Sequence, residues 1–502
     1  MPILIRNARV LTMDDDDTEF PRADILVRST KIAGIGPDLD VSNEGRDLEV
    51  IEADGLLAMP GLVNGHLHSP GNFLKGATDD APLEIFMLHE VPPFSDEPPS
   101  AHLNHVRTML GAVEMLKLGV TAVHDDAFYN PRATAEAVDG LMQAYVESGM
   151  RAVVTIDQPN VVEYEKYPFL RDLLPEEIRR RMAETPRQST EELTELYTGF
   201  IERWNGACAG RLGTAVSCSA PQRVTPEYLQ ILSELSERHR IPYDIHILET
   251  KLQRVLGEEK HGKSFIRYVH DAGVLTPRMM VIHAIWVDDE DIELLAASGC
   301  TVAHNPISNQ KIGSGIMPFR RLRSAGVPIC LGTDEATVDD SANMWGVAKA
   351  AGLIHKIADP EYRNWPTAPE LLRCLTRGGA RGMGLEDRVG ALAPGREADI
   401  ILVDLNTIAF TPLNDLRRQL VFSENGSSVV MTMVAGRVVC EKGRVLTVDE
   451  EALKDEVRAL FPAHRRELAR TAAAAAELEP YYREMYLRAA ARDVGLNRWA
   501  GP

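Results

Sequence analysis

None of the six cysteines (Cys208, Cys218, Cys300, Cys330, Cys374 and Cys440) stands close to another, and there is no Cys-x-x-Cys. That argues against a disulfide framework and a thiolate zinc site, and it fits buried thiols in a reducing compartment. No run approaches the roughly 18 apolar residues of a membrane span. The N-terminal apolar run, Ile3-Leu4-Ile5, is too short for a signal peptide. Cytoplasmic residence with no membrane partner is the expectation. Positive charge is in deficit: a formal net charge of −20 argues against a phosphate-binding surface, so no nucleic-acid partner is expected. A Gly-x-Gly-x-x-Gly after a first strand is missing too, which weakens a doubly wound dinucleotide-binding fold. What is present is a globular composition, 44% hydrophobic and 25% charged, over 502 residues. That length suits two to four domains or one large barrel with additions.

Residues 1–57 carry short alternating runs broken by turn residues, as in a small β-domain. The acidic run Asp14-Asp15-Asp16-Asp17 reads as a solvated turn between two of these strands. From 58 to 394, apolar strands at 120–123, 151–156, 213–217, 242–246, 280–283, 301–304 and 328–332 alternate with helical patterns. The helices fall at 102–118, 133–148, 191–204, 226–239 and 289–297. Repeated β-then-α units specify a parallel sheet, and about eight of them fit a (β/α)8, TIM-like barrel. Residues 395–450 return to short strands at 398–403, 429–434 and 437–440. They are read as completing the first domain, so that the barrel is inserted in a composite β-sandwich made of 1–57 plus 395–450. The charged, alanine-rich tail, 451–502, is expected to be helical and to serve packing or subunit contact.

The chain is organised around Pro60-Gly61-Leu62-Val63-Asn64-Gly65-His66-Leu67-His68. In a strand, residues i and i+2 face one side, so two imidazoles converge as a metal half-site. An isolated His-x-His is more often an ordinary pair of surface or core histidines. The other strand ends decide the matter, because catalytic groups of such barrels sit there. They supply His246 followed by Glu249, then His283, His304 and Asp334, the ligand types that a borderline divalent metal takes.

These motifs, with His246-Ile247-Leu248-Glu249, His283-Ala284-Ile285-Trp286, His304-Asn305-Pro306-Ile307-Ser308-Asn309 and Leu331-Gly332-Thr333-Asp334, resemble the amidohydrolase superfamily. The likeness is to the branch holding cytosine deaminase, guanine deaminase, the methylthioadenosine/S-adenosylhomocysteine deaminases and the triazine hydrolases. It implies that His66, His68, His246 and Asp334 bind one metal, with Glu249 and His283 as acid–base groups and Asp334 also taking a proton from the attacking water. Two-metal members resemble one another in a strand-four lysine. Residues 215–221 contain none, so one divalent ion per chain is expected, zinc first and iron as the alternative. The base-flipping zinc deaminases use His-x-Glu with Pro-Cys-x-x-Cys, which is absent. A homodimer or larger homo-oligomer is implied.

The remaining candidates concern substrate. His304, Asn305 and Ser308 read as substrate-side groups or as a structural turn, and His124-Asp125-Asp126 occupies another strand end. The 72–99 loop, with Phe73, Phe86, Met87 and Phe94, reads as a lid over a flat substrate or as packing on the barrel rim. It has Ile85-Phe86-Met87 where nucleoside-type deaminases resemble one another in a tryptophan. His102, His105, His239, His261, His270, His355 and His464 are read as surface residues. The expected reaction is hydrolytic deamination of an aromatic nitrogen heterocycle of purine, pterin, pyrimidine or triazine type. The alternative expels chloride, an alkylamine or a urea or carbamate nitrogen from the same site. A non-catalytic relative is disfavoured, because no ligand is missing.

Overall fold

The alternating N-terminal runs pair as strands Ile3–Leu11, Glu19–Arg28 and Lys31–Gly36 in an antiparallel meander. Leu56–Pro60 then lies parallel to the first of them and antiparallel to Ile400–Asp404, which arrives from the far end of the chain. Val429–Val434, Arg437–Glu441 and Arg444–Val445 extend the same nine-stranded sheet. Its inner face holds a core of its own, including Ile5, Val10, Ile25, Ile400 and Met433. The structure, a computed structural model, describes residues 2–77, 81–95 and 98–499. Parts of the 72–99 loop (78–80 and 96–97) and residues 500–502 of the tail lie outside the described residues.

The middle of the chain is a TIM-barrel-like α/β fold made of two parallel arcs. One contains Leu62–Leu67, Val120–Phe128, Arg151–Asp157 and Leu212–Thr214. The other contains Val216–Ser217, Tyr243–Ile247, Met279–His283, Thr301–His304 and Ile329–Leu331. Helices Ala101–Lys117, Ala135–Ser148, Thr190–Trp204, Pro226–His239 and Asp289–Ser298 alternate with these strands, within two residues of the sequence-based bounds. Their starts are fixed by side-chain caps: Ser100, Thr134, Ser189, Thr225 and Asp288 each accept from a free backbone N–H of the first turn. The buried Arg151 guanidinium forks onto Asp399 at 2.8 and 2.9 Å and ties the third strand to the nine-stranded sheet.

The first and last parallel strands meet at the site. Asn64 donates to Thr333 Oγ1 at 2.8 Å and accepts from the Thr333 N–H at 3.1 Å, while the Asp334 N–H donates to the His66 carbonyl at 3.0 Å. The approach is too close for a side chain. A Cβ on Gly65 would stand 2.8 Å from both Cys330 Sγ and the Leu331 carbonyl, and one on Gly332 would stand 2.8 Å from the His66 backbone. Gly65→Ala is therefore expected to destabilise the protein by about 1–3 kcal/mol, read as a lower urea midpoint at unchanged slope.

Two regions differ from the sequence reading. The 72–99 loop contains a helix, Leu83–Glu90, with Phe86 and Leu88 buried. The tail contains the helices Glu450–Ala476 and Glu479–Ala491, and it turns back across the strand ends. Lys251 donates to the Ala490 carbonyl at 2.7 Å, Arg498 to the Ile285 carbonyl at 2.9 Å and Trp499 to the Gly313 carbonyl at 3.0 Å.

Candidate active site

Three imidazoles converge where the strands end. Ring centroids of His66 and His68 are 4.6 Å apart, His66 and His246 5.0 Å, and His68 and His246 5.2 Å. Donor atoms of these three and of Asp126 all lie within 4.8 Å of one another. Asp334 Oδ1 stands 3.7 Å from His66 Nε2 and 3.5 Å from His68 Nε2. Hydrogen bonds sort the two aspartates. His246 Nδ1 donates to the Ser219 carbonyl at 2.8 Å and His68 Nδ1 to the Asp126 carbonyl, which leaves each Nε2 bare. Asp126 Oδ2 is 3.8 Å from His246 Nδ1, behind the ring, whereas Asp334 faces the Nε2 side. Among the described residues, neither nitrogen of the fully buried His66 has a hydrogen-bond partner, a cost that a bound cation removes. The donor set of three imidazoles and a carboxylate fits zinc or iron.

The charge balance agrees. Burial, with the neighbouring imidazoles, holds His66 and His246 well below the usual histidine range, so both are neutral, the ligating form. Burial also opposes charge on His68, but the carboxylates of Asp334, Asp126, Glu335 and Asp157 outweigh it and hold its pKa up at about 9. That excess of negative charge is what a divalent cation neutralises.

Around this cluster stand the acid–base candidates. His283 Nδ1 donates to Asn309 Oδ1 at 2.9 Å, and its bare Nε2 lies 3.5 Å from Glu249 Oε2 and 3.8 Å from Asp334 Oδ2. Burial, then repulsion from Asp334 and Glu84, pushes Glu249 well above the usual carboxyl range. Ser308 donates to Asp334 Oδ2 at 2.8 Å. His283 (φ 74°) and Asp334 (φ 66°) sit in the left-handed region, where strain of about 1–3 kcal/mol each is kept only if the surroundings enforce it.

A cavity opens onto these groups. It brings together His68, His246, Glu249, His283, Ser308 and Asp334, with Phe86 and Met87 of the loop helix as an apolar wall. Phe73, His304 and Asn305 do not line it. Phe73 is buried beside His464, Asn305 is buried against Gly332, and His304 Nε2 lies 3.1 Å from His355 Nε2 beneath the site. His355 thus corrects the surface reading, being 7% exposed on the core face of helix Met344–Ala358. Among His124-Asp125-Asp126, strand alternation turns His124 and Asp126 inwards, towards Asp244 and His246, and Asp125 outwards to the Ser69 N–H and the Tyr145 hydroxyl. Sequence reasoning missed Asp157, Arg223 and Glu335, which also line the cavity. Asp157 was within reach, because it ends the third strand.

Comparison with known proteins agrees with this geometry. The amidohydrolase family model matches residues 57–439, and the chain belongs to that family. It is 32% identical over 458 residues to a 5-methylthioadenosine/S-adenosylhomocysteine deaminase of Pelotomaculum thermopropionicum, covering 91% of this chain and 97% of that one. It is also 32% identical, over 91% of this chain and 96% of the other, to a 5'-deoxyadenosine deaminase of Methanosarcina acetivorans. Among solved structures it is similar to an atrazine chlorohydrolase of Arthrobacter aurescens complexed with zinc, with a TM-score of 0.83 and 25% identity over 92% of this chain and all of that one.

Proposed function

We propose that this chain is a metal-dependent aminohydrolase that removes an exocyclic amino group, as ammonia, from an aromatic nitrogen heterocycle of the adenine-nucleoside type. The observation that carries this reading is Glu249: a buried carboxyl facing the cavity beside His283 and Asp334, its pKa pushed up by burial. Expelling ammonia from an amidine-like carbon requires protonation of the ring nitrogen next to it, and a carboxyl held neutral can give that proton. The two deaminase relatives point the same way.

In this reading His66, His68, His246 and Asp334 hold one ion, zinc or alternatively iron. Such an ion supplies Lewis-acid chemistry, bringing the pKa of a coordinated water towards about 7. Asp334 accepts the proton of the attacking water, and His283 Nε2 orients that water. Glu249 protonates the ring nitrogen, and a further proton passed to the amino group lets it depart. Removal of the ion with a chelator is expected to abolish ammonia release, and about one equivalent of zinc per chain to restore it, checked by metal analysis and a coupled ammonia assay. A metal-replete protein that releases no ammonia from purines, pterins, pyrimidines or amino-triazines would overturn the reading. The second reading, loss of chloride, an alkylamine or a urea or carbamate nitrogen, draws on the likeness to the chlorohydrolase and on the Phe86–Met87 wall.

The same proposal divides the chain into a composite β-sandwich (1–57 plus 395–450), a closed (β/α)8 barrel (58–394) and a helical tail (451–502). The shared nine-stranded sheet supports it. It also places the protein in the cytoplasm as a homo-oligomer. Six unpaired thiols support the reducing compartment, and the family resemblance supports the homo-oligomer.

A further inference from the structure

His283 and Ala284 stand side by side in the left-handed region, at φ 74° and 45°, and Leu248, next to Glu249, joins them at 53°. None of the three is glycine, so each needs its surroundings to hold it there. The two turns brace one another: the Ile285 and Trp286 N–H groups donate to the Leu248 carbonyl at 3.0 and 2.9 Å. The carbonyls of the same turn are taken by the tail. The half-buried Arg498 guanidinium spans it, Nε donating to the Ile285 carbonyl at 2.9 Å and Nη2 to the Val287 carbonyl.

The tail also grips the next loop. Trp499 Nε1 donates to the Gly313 carbonyl at 3.0 Å, and the Ile316 N–H donates to the Arg498 carbonyl at 2.8 Å. Between these bonds the Ser314 N–H donates to the Asn309 carbonyl at 2.9 Å, and Asn309 Oδ1 is the acceptor that orients His283. Trp286 links the two segments, donating from Nε1 to the Ser314 carbonyl at 2.8 Å while its ring meets Trp499 edge to face at 5.0 Å. Lys251, two residues past Glu249, sets its ammonium 5.8 and 5.1 Å from these rings and donates to the Ala490 carbonyl at 2.7 Å. Residues 490–499 thus touch the segments that follow Glu249, His283 and Asn309. They lie outside the 57–439 span that the family model matches.

Resting on the aminohydrolase reading for what Glu249 and His283 do, we propose that Arg498 and Trp499 are positioning residues of the reaction. They hold the turn after His283 and the loop after Asn309, and so fix where His283 Nε2 stands relative to Glu249. Those two groups are 3.5 Å apart, and a misplacement of about 1 Å caused by a remote change can cost about 10²-fold in rate. Neither Arg498 nor Trp499 is among the described residues that line the cavity. Their loss therefore falls on kcat and spares KM.

The test measures kcat and KM for ammonia release, per folded and zinc-loaded molecule, together with amide hydrogen exchange, on the full chain and its variants. Arg498→Ala is expected to lower kcat about 10–100-fold at nearly unchanged KM. Exchange should rise at 283–287 and 309–316 and stay as in the wild type along Leu62–Leu67. Arg498→Lys, which keeps the charge but not the fork, should recover part of kcat. Trp499→Phe, which keeps the ring and loses the N–H, should give a smaller loss, with exchange raised at 309–316 alone. Arg488→Gln, on the exposed part of the same tail, is the control and should leave both readouts unchanged. A wild-type kcat in Arg498→Ala, unchanged exchange in both segments, or a loss of activity matched by an equal loss of zinc or of folded protein overturns the proposal. If Arg498→Ala does not fold, Arg498→Lys and Trp499→Phe decide it by the same readouts. The aminohydrolase reading fails separately, when the wild type releases no ammonia; exchange in the same variants then still decides whether the tail holds the two segments.

Discussion

Asp334→Asn is expected to lower turnover by at least about 10³-fold, of the order seen when a positioned acid–base group is lost, while the fold is retained. Asparagine is the right probe, because Asp334 sits at φ 66° and asparagine tolerates the left-handed region better than other non-glycine residues. Of the two carboxylate oxygens, which accept from the Ser308 hydroxyl and the Glu335 N–H at 2.8 and 3.0 Å, it keeps one acceptor and gives up the other. Asp334→Ala should lose as much turnover and, in addition, about 1 kcal/mol of stability from the strained backbone. A single-turnover assay and a urea titration on both variants separate the two effects. Full activity in either variant would remove Asp334 from the reaction.

Glu249→Gln is expected to keep the metal and lose ammonia release by about 10²–10⁴-fold. The amide fills the same space but has no acidic proton to give. The wild-type pH profile carries the same information. Burial raises the Glu249 pKa, and the protonated form is the active one. Activity is therefore present below that pKa and falls as pH rises through it, giving an alkaline limb in kcat/KM. Loss of metal from Glu249→Gln, measured on the purified variant, would make Glu249 a ligand and the assignment wrong.

The site was legible where strand geometry makes neighbours of residues two apart or places a lone polar group at a strand end. His66 and His68 are the first case, and His246, His283 and Asp334 the second. Asp126 was visible as one of three polar residues in a row, but only the register of Val120–Phe128 against its neighbours shows that it and His124 face inwards and Asp125 outwards. His355 was misread by residue type. Its helix places it on the stripe of Ala348, Ala351 and Gly352, and periodicity outweighs polarity there. Phe73 and Phe86 lie in one loop with no period to separate them, so nothing local tells the packed ring from the ring at the cavity. Arg223 is a single residue in a turn, and only the fold shows that it lines the cavity.

The contact between Asn64 and Thr333 spans 269 residues, and it has a consequence for biosynthesis. At about 5–20 residues per second, His66 and His68 leave the ribosome roughly 15–50 s before Asp334 exists. During that interval the nascent chain offers a two-imidazole chelate that discriminates poorly among divalent ions. The complete ligand set arises only when the last parallel strand docks beside the first, a late step in a topology of such long contacts. Whichever ion the proposed four-ligand site takes would therefore be set by that docking rather than by the first two histidines alone.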